Sequence, residues 1–98
     1  TKYLQGEKKE FVLSKQMLRS GTAIGALVRE AEHAESKADF IHKMNIALKE
    51  ANETLYWLEL LHQSKYIAEQ SFESIRMDSE ELVKLLVSIV KTSRTVKN

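Results

Sequence analysis

The chain has no cysteine, no proline and only three glycines, Gly6, Gly21 and Gly25. Without cysteine there is no disulfide and no thiolate metal centre. That absence fits a reducing compartment, so a cytoplasmic location is expected. Without proline nothing interrupts a helical hydrogen-bond ladder. An excess of one charge is lacking too: 15 Lys and Arg stand against 14 Asp and Glu, a net charge of +1. No strong field therefore selects nucleic acid or a membrane. No apolar run approaches the roughly 18 residues that span a bilayer, so no membrane partner is expected. Thr1-Lys2-Tyr3-Leu4 is not a signal peptide. The chain opens on Thr1 instead of Met, and residues upstream of it are expected. What is present is 98 residues, 43% hydrophobic and 30% charged. That is one domain of globular balance with a single, marginal core.

The periodicity predicts three long helices, over about 8–34, 37–63 and 68–96. In the first, Leu13, Met17, Ser20, Ile24, Leu27, Ala31 and Ala34 step by four and three along one face. Its small-residue middle, Ser20 to Ala26, is expected to let a neighbouring helix come close, since glycine otherwise costs about 1 kcal/mol in a helix interior. It lacks the spacing of a phosphate-binding glycine loop, and no strand precedes it. In the second, Phe40, Met44, Ala47, Ala51, Thr54, Leu58 and Leu61 form a stripe that Ile41, Leu48 and Leu55 widen. Ile46, Trp57 and Leu60 carry apolar character further round, as expected of a helix buried on two sides. Ser36 and Asp39 form a capping-box pattern ahead of it. In the third, Phe72, Ile75, Ser79, Leu82, Leu86, Ile89, Ser93 and Val96 continue the alternation. Asp78 with Glu81 could cap a fresh start, with a kink near Met77-Asp78. Links near Ala34–Ser36 and Ser64–Ile67 are short, which implies antiparallel neighbours. The fold class is all-α, an up-and-down antiparallel bundle.

Two blocks resemble a known family. One is Gln16-Met17-Leu18-Arg19-Ser20-Gly21-Thr22-Ala23-Ile24-Gly25-Ala26, followed by Arg29-Glu30-Ala31. The other is Ser36-Lys37-Ala38-Asp39-Phe40-Ile41, followed by Ala47-Leu48-Lys49-Glu50-Ala51-Asn52-Glu53-Thr54-Leu55-Tyr56-Trp57-Leu58-Glu59-Leu60-Leu61. Together they look like the bacterial four-helix bundle proteins of the 23S ribosomal RNA intervening-sequence family. The resemblance covers nearly the whole chain. It implies a helical bundle that assembles into a homo-oligomer, a five-fold ring, with no enzymatic activity. The related accessory variability proteins of diversity-generating retroelements form similar pentamers that bind nucleic acid and a reverse transcriptase. The family usually carries Ser and Asn where this chain has Ala23 and Leu27, and it begins with a further helix ending near Tyr3-Leu4. Three helices without that one would leave an open groove, expected to be filled by upstream residues or a neighbouring chain.

Candidate chemistry is sparse. Glu30-x-x-His33 and Glu59-x-x-His62 imitate a di-iron motif, but an antiparallel pair turning near Glu35 sets residue i opposite 71 − i. The two histidines then stand about 36 Å apart at 1.5 Å per residue, too far for one centre. No metal or cofactor is expected. The serines have no His-Asp partner at one helical level, so a nucleophilic triad is not expected. Glu50 and Glu53 could act as acid and base. The same register sets Arg19 opposite Asn52, within reach of both, and a structural ion pair is the expected reading. Tyr56, Trp57 and Leu60 are the candidates for an oligomer interface. Lys8, Lys9 and Lys15 form one basic cluster near Arg19; Lys91, Arg94 and Lys97, with Lys84, form another. Solvated surface is the ordinary fate of such residues. Repeated around a ring, they would make a rim able to hold RNA or DNA. The sequence thus predicts a self-assembling scaffold or adaptor first and a nucleic-acid-binding accessory protein second, with a protein partner possible in either role.

Overall fold

The computed structural model describes the backbone of residues 2–95 and the side chains of residues 6–95. It contains three helices: α1 (Lys2–Glu32), α2 (Lys37–Gln63) and α3 (Glu69–Thr95). They run up and down through two short turns. Tyr3 and Leu4 belong to α1 without a break, where the sequence set the first helix to begin near residue 8. α3 likewise passes unbroken through Met77 and Asp78, so Asp78 caps no new helix. Lys97 and Val96 lie outside the described residues.

The ends of α2 show why the chain turns where it does. Ser36 is extended (φ −156°, ψ 166°), and its Oγ accepts the Asp39 amide at 3.0 Å. The Asp39 carboxylate reaches back to the Glu35 amide at 3.3 Å, one residue beyond the N-cap amide of the usual reciprocal bond. At the other end the Tyr66 amide donates to the Leu61 carbonyl at 2.9 Å and the Lys65 amide to the His62 carbonyl at 3.0 Å. That is a Schellman closure, and it holds Lys65 in the left-handed region at φ 62°. Glycine is the easy occupant of such a position.

α2 packs against both other helices, while no described Cα of α1 comes within 8 Å of one in α3. The three helices therefore form an open layer measuring 60 × 22 × 14 Å. Its radius of gyration is 16.1 Å, against about 13 Å for a compact chain of this length. One buried cluster gathers Ile24 and Ala31 of α1, Met44, Ala47 and Ala51 of α2, and Leu86 and Val90 of α3. Leu13, Leu58, Leu61 and Phe72 are buried nearer the other end. Gly21 and Gly25 correct the close-approach expectation. Both are exposed, and a Cβ on either would meet nothing within 4 Å. Among the described residues no helix needs them small.

Candidate functional site

The middle of the α1–α2 seam is polar. Arg19 Nη2 donates to Glu53 Oε2 at 3.2 Å and stands 3.6 Å from Glu50 Oε2, while Nε donates to Gln16 at 3.2 Å. The Arg19 side chain is 51% exposed, so water screens the pair and its net stabilisation is small. Glu50 Oε2 is buried with an ion-pair contact but no hydrogen bond. One residue on, Ser20 is fully buried. Its Oγ lies 2.9 Å from Thr54 Oγ1 and 3.0 Å from the Met17 carbonyl, and Thr54 Oγ1 reaches the Glu50 carbonyl at 2.9 Å. Two hydroxyl protons serve these three contacts, so whichever hydroxyl donates across the bridge does so in place of its own backbone carbonyl. The sequence placed both residues on apolar stripes without pairing them. The cue was a small hydroxyl on each stripe within one turn of the same level, since the register rule sets Ser20 opposite Ala51.

The α2–α3 end is fastened differently. The His62 ring stacks on Phe72 with centroids 3.6 Å apart and planes 7° apart. Its Nε2 lies 2.7 Å from Glu69 Oε2. His62 thus joins a turn-side clasp instead of a metal site. Among the described residues no three His, Asp or Glu side chains converge to hold an ion. At the α1–α2 turn an open hollow is lined by Arg29, His33 and Lys43 together with Glu30, Glu35 and Asp39. Cations and carboxylates nearly balance there, so it presents no strong field of either sign. The Glu35 amide, then the Lys43 ammonium 3.3 Å away, hold the Asp39 carboxyl below its ordinary range. On α3, Glu73 first and Glu80 second grip the Arg76 guanidinium at 2.7 and 2.9 Å and raise its pKa.

The interface candidates lie on the half-open side of α2. Tyr56 is 58% exposed, whereas Trp57 and Leu60 are half-buried. Tyr56 meets Trp57 edge to face at 5.0 Å. The Trp57 indole N–H is buried with no acceptor among the described residues. The basic candidates divide. Lys8, Lys9 and Lys15 are exposed near the start of α1, and Lys91 and Arg94 are exposed near the end of α3. These are opposite ends of the layer, and one chain does not bring them together. Lys91 and Arg94 do share a shallow trough with Asn45, Leu48 and Val87 along the α2–α3 seam. From Asn45 and Leu48 the trough continues along α2 past Lys49 to Tyr56. Sequence reasoning missed it because it depends on which flank of α3 meets α2.

Among the described residues no helix is long and apolar enough to cross a membrane. No functionally curated protein matches the chain. A solved structure from Bacteroides thetaiotaomicron, of unknown function and from the S23 ribosomal protein family, is similar: 66% identical, TM-score 0.81, matched over 92% of this chain and 80% of that one. The model of the 23S rRNA-intervening sequence protein family matches residues 1–88. With the all-helical layer described above, that match over most of its length makes the chain a member of the 23S rRNA-intervening sequence protein family.

Proposed function

We propose that the chain is a non-catalytic, cytoplasmic scaffold that works by assembling with copies of itself. The five-fold ring implied by the family likeness is the expected stoichiometry. One observation carries the reading: large apolar side chains on α1 and α3 stand uncovered. Phe11 and Leu18, seven residues apart on the flank of α1 turned away from Ser20, are 64% and 69% exposed, and Leu85 on α3 is 56% exposed. Each side chain of this size gains about 1.5–3 kcal/mol on full burial. Nothing among the described residues provides that burial. Gly21 and Gly25 open on the same flank of α1 and leave room for an incoming helix. Sedimentation equilibrium tests the reading. A mass several times the 11.3 kDa of one chain is expected, and a strict monomer at high micromolar concentration overturns it.

A second reading draws on the basic residues. Lys8, Lys9 and Lys15 are exposed and make no ion pair among the described residues. A ring would bring several copies of them onto one rim, a surface suited to the phosphates of RNA or DNA. Binding that falls steeply with added salt is expected of the assembled protein; absence of binding at low salt removes this reading.

A further inference from the structure

Resting on the self-assembly reading, we infer that copies join head to tail, with the acidic first half of α3 from one copy seated in the basic trough of the next. The charge of α3 is divided along its length. Residues 69–81 hold five acids, Glu69, Glu73, Asp78, Glu80 and Glu81, against Arg76 alone. Residues 82–95 hold Lys84, Lys91 and Arg94 and no acid. A helix gains a little from acids at its start and bases at its end. That effect fades within a turn of each terminus, so it does not explain Asp78, Glu80, Glu81 or Lys84 in the middle.

The two halves also differ in shape. Met77 is 58% exposed. Glu73, Glu80 and Glu81 lie four before, three after and four after it, so they share its face of the helix. Asp78 and Glu81 are exposed and make no ion pair among the described residues. The result is an apolar knob with the free carboxylates of Asp78 and Glu81 beside it, while Glu73 and Glu80 on the same face are already paired with Arg76. The trough is its inverse: an apolar floor at Leu48 and Val87, with Lys49, Lys91 and Arg94 around it and the Asn45 amide beside them; its one acid, Glu53 toward the Tyr56 end, is paired with Arg19. Those three cations also lack an ion pair among the described residues. Met77 and Arg94 stand seventeen residues apart on one unbroken helix, about 26 Å at 1.5 Å per residue. One chain therefore cannot satisfy its own trough, and the contact is heterologous: it closes into a ring or propagates.

The test uses charge reversal on the full chain, read by sedimentation velocity, with circular dichroism confirming the helical fold. Lys91→Glu with Arg94→Glu, and separately Asp78→Lys with Glu81→Lys, each set like charges face to face. Each is expected to weaken association roughly a hundredfold or more. Combining all four changes in one chain restores assembly; an equal mixture of the two variants restores association between unlike copies but leaves a ring of five one like-charged junction. Added salt weakens the wild-type assembly, because these charges are exposed. If both variants sediment like the wild type, self-assembly stands and this contact is wrong. If the wild type is itself a monomer, both readings fall together. If the Lys91/Arg94 variant assembles normally yet loses affinity for RNA oligonucleotides, the trough belongs to nucleic acid and the inference is overturned.

Discussion

The two seams of this layer are built on different principles. Between α1 and α2 the polar contacts lie in mid-helix: Arg19 with Glu53, and Ser20 with Thr54. Between α2 and α3 the one polar contact among the described residues, His62 with Glu69, stands beside the connecting turn, and the far half is joined by Leu86 and Val90 packing into the apolar cluster. A slip of one turn, about 5.4 Å, would break the hydroxyl bridge and part Arg19 from Glu53, leaving Ser20 and Thr54 only the carbonyls of their own helices. The same slip in the second seam exchanges one apolar contact for another, which cores tolerate more readily. The contrast makes α1–α2 the fixed hairpin and α3 the adjustable arm. The arm is also the helix that carries both charge poles.

The largest expected effect breaks the weaker seam. Leu86 is 1% exposed, and Leu86→Ala should cost about 2–5 kcal/mol. In urea, helicity should fall ahead of the Trp57 fluorescence change, because α3 detaches while the hairpin persists. Coincident transitions would mean that both seams open as one unit and that the contrast has no mechanical meaning.

Next in size are the two exposed glycines of α1. Gly21→Ala and Gly25→Ala should each add about 1 kcal/mol to the stability of the dilute single chain. They should also weaken assembly, since the new methyl groups stand on the flank proposed to receive another copy. Gains in both measurements would show that this flank faces solvent in the assembled protein.

The fixed seam can be weighed by a double-mutant cycle. Ser20→Ala leaves Thr54 its Glu50 carbonyl, and Thr54→Val leaves Ser20 its Met17 carbonyl. Each change should cost about 1 kcal/mol. The double variant should cost less than the sum, because either single change already removes the bridge. Strict additivity in urea denaturation would reduce the bridge to two unrelated helix-backbone bonds.

Features that depend on one helix at a time were legible in the sequence. The stripes came from residues three and four apart, and the α2 start from Ser36 and Asp39. The register rule set Arg19 opposite Asn52, and the observed contacts to Glu50 and Glu53 lie one turn or less from that level. Features that depend on how two helices are rotated against each other were not. Ser20 and Thr54 could be placed on stripes but not joined. His62 reads as a solvated helix-end residue until the Schellman turn brings Phe72 beneath it. The trough needs the flank of α3 that carries Val87 and Arg94 to lie beside Asn45, a rotation that period alone leaves open. The glycines misled for the converse reason: smallness signals a close approach but not whose.

The smallest expected effect tests the cap that begins α2. Asp39 accepts the Glu35 amide and stands 3.3 Å from the Lys43 ammonium, and both hold its folded pKa below the 3.8 of a free carboxyl. A lowered folded value means that the unfolded chain takes up the proton first as pH falls. The contribution is therefore complete above pH 3.8 and fades as acid titrates the folded group. Protection of the Glu35 amide from hydrogen exchange should decline over that acid window, while the Asp39 amide, held by the Ser36 hydroxyl, should persist further. Asp39→Asn should flatten the pH dependence at Glu35. An unchanged acid slope in that variant would assign the loss to carboxylates elsewhere, and the α2 cap would then owe its hold to Ser36 alone.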